Sequence, residues 1–182
     1  MQAPSLTPCH EESGLTLIEL IIALVVSAIV VAAAATILVN SWLAQEDVTS
    51  TTEATTRGQL MGSTIERAMR NAKDFTVAPN DDDGTELRVW TSLGGSLTCQ
   101  GFQLAVGEAR IATSSGSLPV VGNWGVWDVG VAKQGSKPFL QRSGNTVTYS
   151  FELATDSAPV PISGQAKMRT IKDSGEVSPC WP

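Results

Sequence analysis

The sequence predicts an α+β fold, in which one long amino-terminal helix carries a membrane-spanning half and an amphipathic half, the latter packed on an antiparallel β-sheet head. Three observations carry that expectation. No charged residue stands between Leu20 and Gln45, no Gly between Gly14 and Gly58, and no Pro between Pro8 and Pro79, so nothing stops a helix. Beyond Phe75 the pattern changes to short runs separated by turn residues. The 42% of apolar residues is also unevenly spread: it concentrates from Leu15 to Leu43, and the remainder is rich in Thr, Ser, Gly and Asp. That asymmetry describes an anchor and a water-facing head, and 182 residues suffice for one of each.

Taken in chain order, residues 1–14 (MQAPSLTPCHEESG) are polar, hold Pro4 and Pro8, and offer no apolar face, so they read as a leader. Residues 15–43 form the apolar segment. Its strongest part, Leu15 to Val39, would rise about 37 Å at about 1.5 Å per residue, enough for a hydrocarbon core of about 30 Å. Residues 44–75 continue the helix amphipathically, with Met61, Ile65, Ala68, Met69 and Ala72 at the 3- and 4-residue spacing of one buried stripe. Thr49 to Thr56 has poor helix propensity, and Gly58 and Gly62 follow, so a bend or frayed stretch is expected there. The head, 76–182, begins with a turn at Asn80-Asp81-Asp82-Asp83-Gly84. Strands are expected at Glu86–Thr91, Leu97–Val106, Ala109–Thr113, Val126–Ala132, Thr146–Leu153 and Gln165–Ile171. Long loops are expected near Ser114–Gly125 and Lys133–Asn145.

A net charge of −6 with no Lys/Arg cluster argues against bulk attraction to nucleic acid or anionic lipid. The one histidine, His10, lies in the leader, so no Ser-His or Cys-His arrangement can assemble in a chain that has lost it. Nothing resembles a Cys/His metal cluster, and no carboxylate pair has a spacing that recommends it for catalysis. No enzyme activity and no cofactor is therefore expected. Asp81, Asp82, Asp83 and Glu86 could hold a calcium ion, but their spacing is not that of an EF-hand loop, and an acidic turn explains them better. Trp90, Trp124, Trp127 and Trp181 are expected mostly in the core, with an adhesive surface as the other use for them.

The informative residues open the apolar run: Ser13-Gly14-Leu15-Thr16-Leu17-Ile18-Glu19-Leu20. Here the chain resembles the type IV prepilins and type II secretion pseudopilins. Their leader ends in Gly, and the mature helix starts with an apolar residue and has Glu as its fifth. Those positions are Gly14, Leu15 and Glu19. The resemblance covers about Gly14 to Val39 and is loose beyond it. It implies a pilin-like fold, cleavage between Gly14 and Leu15 by a prepilin peptidase that also methylates the new Leu15 amine, and assembly of the helix with other pilin subunits by a pilus machinery. It further implies a single-pass protein of the cytoplasmic membrane with its head outside, later part of a surface pilus or a periplasmic or cell-wall pseudopilus.

Elementary chemistry agrees with the match. A small, flexible residue such as Gly14 admits a peptidase to the backbone. A carboxylate entering a bilayer costs about 2.5 to 3.5 kcal/mol at a helix centre and less near an end, and a neighbour's amino terminus can neutralise Glu19 there. Two plainer readings compete. Glu19 could mark the boundary of an ordinary anchor, giving a membrane-anchored binding protein or adhesin that never polymerises. Alternatively, Ala32 to Ala35 offers the cleavage site of a secretory signal. Against the latter, the run from Leu15 to Val31 exceeds the usual apolar region of about 7 to 15 residues and no basic residue precedes it.

Two features depart from the family pattern. The leader has His10, Glu11 and Glu12 but no Lys or Arg, so orientation follows from the resemblance alone. Major pilins often carry a proline in the apolar helix where this chain has Ala35 and Thr36, which favours a minor pilin or pseudopilin. Processing also changes the cysteine count. Of Cys9, Cys99 and Cys180, removal of the leader leaves Cys99 and Cys180, and export favours a disulfide between them.

Overall fold

A computed structural model describes residues 16–79, 83–93, 95–169 and 178–181. Helix α1 runs unbroken from Leu17 to Arg70, 54 residues, and nine antiparallel strands follow among the described residues. They are β1 (Ala72–Pro79), β2 (Asp83–Leu93), β3 (Ser96–Leu104), β4 (Glu108–Ser114), β5 (Gly125–Val129), β6 (Val131–Ala132), β7 (Leu140–Ser143), β8 (Thr146–Leu153) and β9 (Val160–Lys167), with a 3-10 turn at Val121–Asn123. The sheet order is β5-β4-β3-β2-β7-β8-β6, with β1 on β2 and β9 on β8. The fold is α+β and pilin-like.

The chain divides into two units, residues 1–45 and residues 46–182. In the first, every described residue is exposed, and the helix is long and apolar enough to cross a membrane. In the second, the helix contributes Ala54, Met61, Ile65, Ala68 and Met69 to the core, each at most 1% exposed. The stripe expected from periodicity is therefore present, with Ala72 buried as well but at the start of β1. Opposite it stand Phe75, Leu87, Phe102, Tyr149 and Phe151 from the sheet.

No bend or fray interrupts Thr49–Thr56. The hydroxyls of Thr52, Thr55 and Thr56 donate to carbonyls four residues back, at 2.7, 2.7 and 2.9 Å, so these side chains are satisfied without leaving the helix. Gly58 and Gly62 are there for closeness. A Cβ at Gly58 would stand 2.5 Å from the Ile162 side chain, and one at Gly62 2.5 Å from the Tyr149 hydroxyl. The helix propensity lost, about 1 kcal/mol per glycine, is offset by the contact of helix and sheet that larger residues would prevent.

The helix stops at Arg70 and does not reach Phe75. Asn71 ends it: its side-chain amide donates to the Arg67 carbonyl (2.8 Å), and its own carbonyl accepts from Ser92 N–H (3.0 Å), which delivers the chain into β1. Arg67 and Arg70 in the last turn suit the negative end of the helix dipole. The expected strand Val126–Ala132 is two strands, separated at Gly130, whose φ of 76° lies in the left-handed region that glycine adopts without penalty. Its N–H donates to the Gly107 carbonyl and its carbonyl accepts from Ala154 N–H. The expected loop Lys133–Asn145 contains β7. The last strand begins at Val160 rather than Gln165 and ends at Lys167; residues 170 and 171 lie outside the described set. β8 spans the residues expected of it.

Candidate functional site: the start of the long helix

Thr16 is the last described residue before the helix, and it occupies the N-cap position. Its Oγ1 accepts from Glu19 N–H at 3.3 Å and its carbonyl from Leu20 N–H at 3.2 Å. A helix leaves its first N–H groups without internal partners, and the N-cap hydroxyl satisfies one of them. Thr16-Leu17-Ile18-Glu19 has the S/T-x-x-E spacing of a capping box. Glu19 lies in the first turn, where the positive end of the helix dipole favours a carboxylate.

The surroundings of Glu19 are apolar. Leu17, Ile18, Leu20, Ile21 and Ile22 are all exposed, and Glu19 forms no ion pair among the described residues. A single carboxylate thus sits at the head of an otherwise charge-free apolar rod. Water, a lipid headgroup or a cation from another chain can satisfy it. Gly14 and Leu15 lie outside the described residues, as do Asp81 and Asp82; Asp83 opens β2.

The second feature singled out by the sequence is in the head. Cys99 and Cys180 form a disulfide with Cα atoms 5.3 Å apart, across a sequence separation of 81. It lies in a small cluster with Trp90, and Leu118 and Trp181 pack against it. The carboxyl-terminal residues 178–181 are thereby fastened to β3, and Cys180 N–H donates to Ser178 Oγ at 3.2 Å. The tryptophans are mainly structural. Trp90 and Trp124 are buried, Trp127 packs tilted against Phe102 with ring centroids 5.6 Å apart, and Trp124 Nε1 donates to the Pro119 carbonyl at 2.8 Å.

Two polar constellations had no clear mark in the sequence. Arg57 on the helix pairs with buried Asp128 on β5 at 2.8 Å. Tyr149 on β8 donates to Glu66 Oε1 at 3.0 Å, and Arg70 holds the other carboxylate oxygen at 2.7 Å. Burial, and then the bond to Glu66 and its negative charge, push the Tyr149 phenol pKa well up from its ordinary value. Both constellations tie helix to sheet. Among the described residues, no group of three or more His, Cys, Asp or Glu side chains converges to hold a metal ion.

Against known families, residues 9–35 match the prokaryotic N-terminal methylation motif, the signature of type IV prepilins. No curated protein and no solved structure matches the chain. The match runs from Cys9 into the apolar helix as far as Ala35 and takes in Gly14, Leu15, Thr16 and Glu19. The chain therefore carries the recognition segment of a prepilin peptidase substrate, and with it the context of pilin assembly. Its membrane-capable helix is consistent with a membrane-anchored protein. The motif's family is structural, not enzymatic.

Proposed function

We propose that this chain is a structural, minor subunit of a type IV pilus or of a type II secretion-like pseudopilus. A prepilin peptidase cuts between Gly14 and Leu15 and methylates the Leu15 amine. Residues 15–43 first hold the protein in the cytoplasmic membrane, single-pass with the head outside. They then enter the helical core of the filament, where Glu19 meets the Leu15 amine of a neighbouring subunit. The observation that carries this reading is the methylation motif set on a capped helix whose first turn holds one carboxylate on an apolar rod.

The choice of a minor subunit rests on the apolar helix. Where major pilins often have a kinking proline, this chain has Ala35 and Thr36. Thr36 Oγ1 instead donates to the Ala32 carbonyl at 2.9 Å, within unbroken helix. The test is to express the chain beside a prepilin peptidase and its assembly machine, then measure intact mass and recovery in sheared filaments. The expected product begins at Leu15, carries one methyl group, and appears in filaments in small amounts. A chain that still begins at Met1, or that begins near Ala35, would overturn the proposal.

A further inference from the structure

The outer face of the sheet at β7, β8 and β9 carries a groove of about 360 Å³ that the filament reading does not use. Its floor is set by register. Gln141, Thr148 and Gln165 stand side by side on three adjacent strands, and Ser163 faces Ser150 in the next row. Gln141, Thr148, Ser163 and Gln165 are exposed, and none of their side chains has a hydrogen-bond partner among the described residues. The wall is the segment carrying Lys137 and Pro138. It is pinned to the floor twice, because Ser150 Oγ donates to the Pro138 carbonyl and Ser150 N–H to the Phe139 carbonyl, each at 3.0 Å. The groove is therefore a built cleft with a fixed wall.

We propose that this groove binds a neutral glycan of two or three sugar units. The lining selects that class. Among the described residues it holds no carboxylate and one cation, Lys137, whose Nζ donates to Gln134 Oε1 at 3.1 Å, so a polyanion finds too little positive charge. It holds no aromatic or large aliphatic side chain among the described residues, so an apolar ligand or a peptide with apolar anchors finds no pocket. What it offers is two amides, each with two donors and an acceptor, and two hydroxyls that both donate and accept. A sugar hydroxyl also donates and accepts, and a row of them can satisfy all four groups. The Pro138 ring supplies the one apolar contact for a sugar face. The volume stands at the small end of the range of about 300 to 1,000 Å³ typical of small-molecule sites. Without an aromatic platform each site binds weakly, with Kd on the order of millimolar.

The experiment uses the full chain in detergent micelles, with maltotriose, N,N′-diacetylchitobiose and digalacturonate as probes in saturation-transfer-difference NMR and titration. At least one neutral probe is expected to bind, and Gln141→Ala and Gln165→Ala each to weaken it about three- to tenfold, the effect of one or more hydrogen bonds. Ser163→Arg fills the groove from an exposed position and should abolish binding with the thermal midpoint of the head unchanged. Ser96→Ala, at the first residue of β3, should bind as the unaltered chain does. Absence of transfer from both neutral probes overturns the assignment. So does binding that persists in Ser163→Arg, or binding of digalacturonate alone that is lost with Lys137→Ala, which would make the groove an anion site. Because no filament is needed, these outcomes are independent of whether the chain polymerises.

Discussion

One helix solves two different burial problems in its two halves. Between Leu17 and Leu43 it is apolar all round, and its large side chains, such as Leu24 and Ile29, are exposed. Between Glu46 and Arg70 it is apolar on one stripe only, and that stripe is covered: Met61, Ile65 and Met69 are at most 1% exposed. The second half completes its packing within its own chain. The first half leaves a burial free energy to be gained elsewhere, from lipid or from other helices, because exposed apolar surface is unfavourable by about 25 cal/mol per Å². Continuity of backbone therefore says little about function here; what separates the halves is whether the chain supplies its own partner.

The largest effect that would sharpen this contrast is at Glu19. If the carboxylate only marks a membrane boundary, Glu19→Ala eases insertion and leaves assembly intact, since a polar group is removed from an apolar run. If it pairs with a neighbour's Leu15 amine, losing one partner of a buried pair costs about 3 to 5 kcal/mol. At about 1.4 kcal/mol per tenfold, incorporation then falls by about a hundredfold or more. Under the proposed cleavage between Gly14 and Leu15, processing should continue in the mutant, because that bond precedes Glu19. Quantifying processed protein in sheared filaments separates the two cases, and equal incorporation of the mutant would exclude the pairing.

Next in size is the disulfide, which belongs entirely to the self-sufficient region. Closing a loop across 81 residues stabilises the head by about 4 kcal/mol in the chain-entropy model. The double substitution Cys99→Ser, Cys180→Ser should lower the denaturant midpoint of the head accordingly, with the helical signal of the anchor retained. A midpoint unchanged by the substitution or by reductant would mean that Trp90, Leu118 and Trp181 hold the carboxyl terminus without the bond.

A matched pair of truncations tests the contrast itself. Ile65→Ala removes a fully buried side chain and should cost about 2 to 5 kcal/mol of head stability. Ile29→Ala, the same chemical change at a residue 65% exposed, should leave head stability within about 0.5 kcal/mol. Denaturant titration of both variants, followed by tryptophan fluorescence of the head, is the measurement. Comparable losses in the two would show that the halves are energetically one unit.

Legibility in the sequence followed the length of the physical signal. The buried stripe Met61-Ile65-Ala68-Met69 repeats over several turns, and β8 carries eight residues of strand-forming character, so periodicity located both. Counting marked the cysteine pair, and the resemblance to the prepilin motif marked Glu19. The misses are local. Strand β7 is four residues, Leu-Gln-Arg-Ser, placed by pairing with β8 and by Arg142, which donates to the Phe75 carbonyl at 3.1 Å, and nothing in those four letters announces it. The helix end depends on one amide, Asn71, and the break at Gly130 on one backbone angle. The bend expected at Thr49–Thr56 is absent, and there the hydroxyls of Thr52, Thr55 and Thr56 donate to carbonyls four residues back, a local detail that summed propensity does not register. The capping role of Thr16 is carried by the three-residue spacing to Glu19 within the same short motif.

The smallest effect is a pH dependence, and it reports on the covered half alone. Tyr149 bonds Glu66 from the helix, and its pKa is raised in the folded head, first by burial and then by that carboxylate. An acid whose folded pKa lies above its unfolded value, about 10 for tyrosine, keeps its proton in the folded state when the unfolded chain has lost it. Above that pH the unfolded state binds fewer protons, so stability falls as pH rises; below it the contribution is fully present. The chain has one tyrosine, so tyrosinate absorbance reads this site without assignment. In the intact head the phenol should ionise well above pH 10 and together with loss of tertiary signal, and under denaturant near 10. Tyr149→Phe should flatten the alkaline slope, while losing about 1 kcal/mol at neutral pH with the hydrogen bond. Ionisation near 10 in the folded protein would mean that the phenol is not held against Glu66, and that the contact between helix and β8 is looser than the one Gly62 makes room for.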